Sequence, residues 1–211
     1  MSSIGELHAL KQLQEKQSTL LDKIDELRTI GVGGLVELPQ LIVCGDQSSG
    51  KSSVLEAISR VQFPVKGNAC TRFATELILR RNPSSRIKIS IEPGISRTDE
   101  QDRERLSEFT HDEVSVSGLP VLIEKAREHM GVDESVNSGF SDDVLKVEIS
   151  RPDNPELTLV DLPGLYSGIS PDQGWQGKQI VHDLTRRYMK NSRSIILAVI
   201  SAKSEYHVQP V

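Results

Sequence analysis

The sequence predicts an α/β fold: a mostly parallel sheet with helices on both faces, truncated on its C-terminal side and preceded by an N-terminal amphipathic helix. Three observations predict it. Short, continuous apolar runs occur at Leu41-Ile42-Val43-Cys44 and at residues 194–200, as suits strands buried in a parallel sheet, and Leu157-Thr158-Leu159-Val160 reads as another strand. Segments with helical periodicity separate these runs. Between the first run and its helix lies Gly45-Asp46-Gln47-Ser48-Ser49-Gly50-Lys51-Ser52, a glycine-bounded loop ending in Lys-Ser.

Taken in order, Leu10, Leu13, Leu20, Ile24 and Leu27 form a stripe with a period near 3.5 residues, so residues 1–34 read as a bundle-type helix and linker ending at Gly31, Gly33 and Gly34. Residues 35–211 read as the α/β domain. After the first strand and the glycine loop, residues 53–59 read as a helix. Residues 75–81 and 87–92 read as two strands of an antiparallel hairpin across Asn82-Pro83-Ser84-Ser85, with Ile87, Ile89 and Ile91 alternating against polar residues. Residues 97–113 carry charges of both signs and read as a solvated helix. Pro120 opens a helix through Met130. Strands follow over 144–149 and 157–161, then a helix through Gln179, Ile180, Leu184, Tyr188 and Met189, then the strand over 194–200.

Composition narrows the function classes. With 211 residues the chain can form one α/β domain plus a helical appendage. A net charge of -5 gives no electrostatic case for nucleic acid as a partner. Cys44 and Cys70 suggest neither a disulfide framework nor a zinc site, which points to a reducing compartment. The first residues lack a signal-peptide pattern and no apolar run approaches a membrane span, so a soluble, cytoplasmic protein is expected.

The glycine loop carries the chemistry. Gly45 and Gly50 let backbone N–H groups approach an anion, and the following helix adds its positive dipole end. Lys51 can reach the β- and γ-phosphates of a nucleotide, and Ser52 can give a hydroxyl to Mg2+. Asp46, Gln47, Ser48, Ser49 and Ser53 complete the cradle. Asp161-Leu162-Pro163-Gly164 closes a later strand, and ligands of open α/β sheets bind beyond the carboxyl ends of strands. Asp161 would therefore stand beside the loop and hold Mg2+ through a water, with the amide of Gly164 near a γ-phosphate. In Cys70-Thr71-Arg72-Phe73, Thr71 could complete the metal's coordination and order its loop as a switch.

The phosphate loop with Ser53-Val54-Leu55-Glu56, then Cys70-Thr71-Arg72, then Leu159-Val160-Asp161-Leu162-Pro163-Gly164-Leu165, closely resembles the dynamin superfamily of large GTPases, nearest to the Mx-like and fungal dynamin-related proteins. The similarity runs from about Leu20 to about Ser204, and Gln47-Ser48 is its specific element. The resemblance implies a P-loop GTPase-type domain that hydrolyses GTP with Mg2+. It implies that Gln47 places the water network, that Ser48 helps bind a monovalent cation, that Thr71 is the switch threonine, and that Asp161 and Gly164 belong to a second switch. It also implies self-association through the domain and association with organelle membranes or microtubules. Such a reaction needs positioning and charge neutralisation, with little covalent chemistry from the protein.

Two departures from the family pattern stand out. Its glycine pair before the switch threonine is here Val65-Lys66-Gly67-Asn68, which leaves a monovalent-cation requirement open. No Thr/Asn-Lys-x-Asp guanine-reading motif follows Ile200, so the residues alone specify a nucleoside triphosphate. An ATPase or kinase, or a non-catalytic fragment, are the competing readings. With sheet edges lacking partners, low stability and an exposed N-terminal leucine stripe are expected.

Overall fold

The computed structural model describes residues 39–46, 48–61, 71–113, 118–132, 139–165 and 174–202. The N-terminal helix expected over residues 1–34 lies outside them, as do Gln47 and Cys70.

Among the described residues, seven strands and four helices alternate along the chain: β1 (Gln40–Cys44), α1 (Lys51–Ser59), β2 (Ala74–Arg81), β3 (Arg86–Glu92), α2 (Glu100–Ser107), β4 (Thr110–Glu113), α3 (Leu119–His129), β5 (Val144–Arg151), β6 (Leu157–Asp161), α4 (Gly174–Lys190) and β7 (Ser194–Ala198). The strands make one sheet in the order β4-β3-β5-β2-β6-β1-β7. Its pairings are mixed. β1 is parallel to β6 and β7, and β2 is parallel to β5, whereas β2–β6, β3–β5 and β3–β4 are antiparallel.

Helices cover both faces, as expected for this class. On one face Leu55 of α1, Leu106 of α2, and Leu119, Leu122 and Ala126 of α3 pack with Val43, Leu77, Ile89, Val147 and Leu159 of the strands. On the other, Leu184 and Tyr188 of α4 pack with Ile42, Cys44, Val144 and Val160. Beside Tyr188 of α4 this second face turns polar: Lys146 of β5 bridges Glu76 of β2 and Glu92 of β3, and the Tyr188 hydroxyl donates to Glu76 (2.7 Å).

Two sequence expectations are corrected. β2 and β3 are not a hairpin, because β5 lies between them and pairs with both over nearly its whole length. The four-residue link passes over the end of β5, where the Asn82 amide donates to the Arg151 carbonyl (3.1 Å). The reason lies on both faces. Leu145, Val147 and Ile149 give β5 one fully buried apolar face, and on its other face Lys146 pairs with Glu76 of β2 and Glu92 of β3, so β5 has partners on either side. Residues 97–113 are not one solvated helix either. The helix is α2, capped by the Asp99 side chain, which accepts from the Gln101 amide (3.0 Å). The chain then turns at buried Leu106 and Phe109 into the edge strand β4, whose charged residues suit an exposed edge.

β7 also differs from its composition. Ile195 and Ile196 are 59% and 50% exposed, because among the described residues β7 pairs with β1 alone.

Candidate functional site

The phosphate loop joins β1 to α1, one strand in from the β7 end of the described sheet, and its backbone explains its glycines. A Cβ at Gly45 would run into the Val199 carbonyl and approach Ser49 Oγ to 2.9 Å. The chain after β7 is held close there by the Val199 amide, which donates to the Cys44 carbonyl (2.8 Å). Gly50 begins α1 at φ 99°, a conformation that costs other residues strain. Ser48 adopts φ 62° without being glycine, at a cost of order 1 kcal/mol. Strain of that kind is retained where a loop must present its amides in one direction.

Lys51 is buried at the start of α1, and its ammonium donates to the carbonyls of Asp46 (2.8 Å) and Gly45 (3.2 Å). The amine thus lies folded along its own loop, in reach of an anion cradled there. Ser52 follows it in the first turn of α1 and is half-buried, while Ser53 is exposed.

Asp161 ends β6 and is buried. Register brings it beside the start of β2, since Asp161 faces Thr75 across the β2–β6 pairing. Thr71 lies just before β2, and its hydroxyl donates to Asp161 Oδ2 (3.1 Å). Burial pushes the Asp161 carboxyl up to about 6, although the Lys51 charge and the Thr71 hydrogen bond oppose that rise. The other oxygen, Oδ1, is buried with no hydrogen-bond partner, and so are Asp46 Oδ1 and Ser49 Oγ in the loop itself. Buried polar atoms are seldom left unmatched, so these three oxygens are candidate ligand contacts.

Beyond Asp161 the chain is stitched to the phosphate loop. The Leu165 amide donates to the Gly45 carbonyl (3.1 Å), and Leu165 forms a parallel bridge with Asp46. Gly164 is buried directly before that bridge. The structure therefore gathers Gly45, Asp46, Ser49, Gly50, Lys51, Ser52, Thr71, Asp161 and Gly164 around one end of the sheet. Ser53 and Ser48 are both exposed, and Gln47 lies outside the described residues.

An Mg2+ ion fits this donor set. Mg2+ is commonly bound through one or two carboxylates together with substrate phosphates, while retaining waters. One buried carboxylate with a free oxygen, bonded through its other oxygen to the Thr71 hydroxyl, meets that requirement, and Ser52 offers a further hydroxyl in the first turn of α1. Among the described residues no group of three or more His, Cys, Asp or Glu side chains makes an all-protein metal cage. Among them, too, no helix is long and apolar enough to cross a membrane.

Sequence reasoning missed the two contacts that frame the site: Leu165 on Gly45, and the Val199 backbone over Gly45. Both are backbone contacts between segments remote in sequence, which residue types do not signal.

The Asp161 burial has a measurable consequence. In the native protein the carboxyl keeps its proton to about 6, against 3.8 for the free side chain. The resulting stabilisation is fully present below about 3.8 and is lost as pH rises through about 6. Asp161→Asn should therefore match the parent protein near pH 4 and exceed its stability by order 2 kcal/mol at pH 7. Urea denaturation at the two pH values checks this, and equal stability at pH 7 would count against it.

Comparison with known proteins extends the reading. The family model described as "Dynamin family" matches residues 41–209. An interferon-induced GTP-binding protein Mx of Perca fluviatilis is 35% identical over 190 residues, covering 90% of this chain and 58% of that protein. The interferon-induced GTP-binding protein Mx2 of Oncorhynchus mykiss is 36% identical over 187 residues, and Mx1 of Equus caballus 33% over 195. Those two alignments cover 89% and 92% of this chain but 27% of each relative. The chain thus spans between about a quarter and somewhat over half the length of these relatives.

Proposed function

The chain belongs to the dynamin family, and from that premise we propose that its site binds GTP with Mg2+ and hydrolyses it by attack of water on the γ-phosphate. One observation carries the proposal above all: a buried Asp161 oxygen without a partner, beside Thr71 and next to a loop lined by Lys51. That arrangement suits a phosphate-bound divalent cation. The choice of guanine rests on the relatives, whose names describe them as GTP-binding.

In this reading the loop amides hold the phosphates, and Lys51 leaves the carbonyls of Gly45 and Asp46 for the β- and γ-phosphates. Its charge then lies where negative charge builds up in the transition state. Ser52, Thr71 and Asp161 would hold Mg2+, which supplies charge neutralisation across the phosphate oxygens when bound. Gln47 orders the attacking water and Ser48 contributes to a monovalent-cation site, both by family resemblance. The Gly164 amide senses the γ-phosphate. When that phosphate departs, Thr71 and Gly164 lose a shared anchor, and the segments leading from them are released. Self-association through this domain, and a membrane or microtubule partner in the cytoplasm, extend the same family reading.

Titration of the chain with fluorescent GTP, with ATP as competitor, tests the proposal. GTP should bind in the presence of Mg2+ and resist displacement by a large excess of ATP. Equal or preferential binding of ATP would overturn the guanine assignment, and the absence of phosphate release would overturn hydrolysis.

A further inference from the structure

Asp143 is fully buried, yet it belongs to none of the elements that hold the phosphate loop. It lies in the approach to β5, and its carboxylate accepts hydrogen bonds from the Gly94 amide (2.8 Å), the Ser141 hydroxyl (2.6 Å) and Arg97 through Nε (3.2 Å) and Nη2 (2.7 Å). Arg97 Nη2 also donates to the Met130 carbonyl at the C-cap of α3 (2.6 Å). From α2, Arg103 donates to the carbonyls of Gly94 and Arg97, both at 3.3 Å. Burial raises the Asp143 carboxyl, but the hydrogen bonds from Arg97, Gly94 and Ser141 outweigh it and hold the group below the usual carboxylate range.

A buried ion pair stabilises a fold no better than well-packed apolar residues of the same volume. Stability is therefore a weak reason for this arrangement, and its neighbours suggest another. The Ser141 amide donates to the Arg72 carbonyl (3.0 Å), and the Arg72 guanidinium lies over the Phe140 ring at 5.3 Å. Arg72 is joined to Thr71, whose hydroxyl rests on Asp161. A continuous chain of contacts thus runs from Arg97 through Asp143, Ser141 and Arg72 to Thr71.

We infer that the Arg97–Asp143 pair is a positioning element for the hydrolysis: it fixes Phe140 and Ser141 so that the Arg72 backbone holds Thr71 against Asp161. The inference rests on the GTPase reading above for its kinetic consequence, although its geometric consequence stands apart from it. With the pair removed, residues 140–141 have fewer restraints, and Thr71 samples positions away from the carboxylate. Phosphoryl transfer depends on placement, so kcat should suffer while affinity, set by the loop and Lys51, does not.

The experiment compares the parent chain with Arg97→Met/Asp143→Leu, which removes both charges and leaves neither buried alone. Single-turnover GTP hydrolysis, GTP binding and amide hydrogen exchange are measured on each. The expected result is a kcat lowered about 10- to 100-fold with Kd unchanged, and faster exchange over residues 71–73. Ser141→Ala, which deletes only the hydroxyl between Asp143 and the Arg72 anchor, should shift the same readouts to a smaller extent and serves if the double variant fails to fold. Unchanged exchange over residues 71–73 in a folded variant overturns the inference, and so does a kcat loss matched by an equal loss of affinity. If the parent chain does not bind GTP, the function proposed above has failed, and exchange over residues 71–73 still decides this point.

Discussion

Lys51→Ala is expected to weaken GTP binding about 100-fold or more while the protein remains folded, a loss of about 2.7 kcal/mol. The ammonium is buried at the head of α1, and its observed partners on the loop are the carbonyls of Gly45 and Asp46. Exchanging neutral carbonyls for ionised phosphate oxygens adds a charge–charge attraction to each hydrogen bond, and exclusion of water strengthens it further. No other cation in the described loop can take over that role, since its remaining residues are Gly, Asp and Ser. The fold survives because the carbonyls lie at a loop where water can enter once the long side chain is gone. The charge on Lys51 also opposes the burial-driven rise of Asp161, so its removal pushes that carboxyl above about 6 and reduces the fraction ready to hold Mg2+ at neutral pH. Lys51→Met separates the two contributions of the residue. It keeps the apolar stem and should lose affinity to the same degree. Fluorescent GTP titration with a parallel thermal melt reads the result, and a Kd within about threefold of the parent would refute the role given to the charge.

Gly45→Val is expected to have the larger effect on stability, about 3 kcal/mol or more, enough to lower Tm by roughly 6–12 °C. The Cβ would collide with the Val199 carbonyl and crowd the Val199 carbonyl carbon at 3.2 Å. Neither neighbour can yield cheaply, because both belong to backbone. The Val199 amide is bonded to Cys44 and the Gly45 carbonyl to Leu165, so separating the segments would break both contacts. Gly50→Ala provides the contrast. Nothing lies within 4 Å of a Cβ there, and its cost is only the strain of φ 99°, about 1 kcal/mol. Chemical denaturation of the two variants ranks them, and a Gly45→Val protein as stable as Gly50→Ala would contradict the collision.

What the sequence disclosed follows from the range of the interactions involved. The run from Leu41 to Ser52 was readable because a strand, a glycine turn and a helix start are written locally, in apolar continuity and in residues with special backbone freedom. β6 ending at Asp161 was readable for the same reason, and so were α3 and α4. The insertion of β5 between β2 and β3 was not, because proximity in sequence favours a hairpin and the pairing of Lys146 with Glu76 and Glu92 on both neighbours is a tertiary fact. Thr71 could be singled out only as a plausible loop hydroxyl. Its placement on Asp161 depends on the antiparallel β2–β6 register, a tertiary fact. Arg97 and Asp143 are the clearest misses: one sat in a charged stretch assigned to solvent, the other in a polar approach to a strand. Charge in sequence does not tell whether a residue will be hydrated or paired in the interior.

The sheet order has a last consequence, for how the chain is assembled. β1 lies between β6 and β7, the two strands that come latest along the described chain, with partners on the order of a hundred residues or more away. A nascent chain leaving the ribosome therefore presents the phosphate loop long before the sheet that supports it can close. Such a high contact order makes folding slow and leaves apolar strand surface open to chaperones in the meantime. The first described strand to be synthesised is the last to gain both of its neighbours.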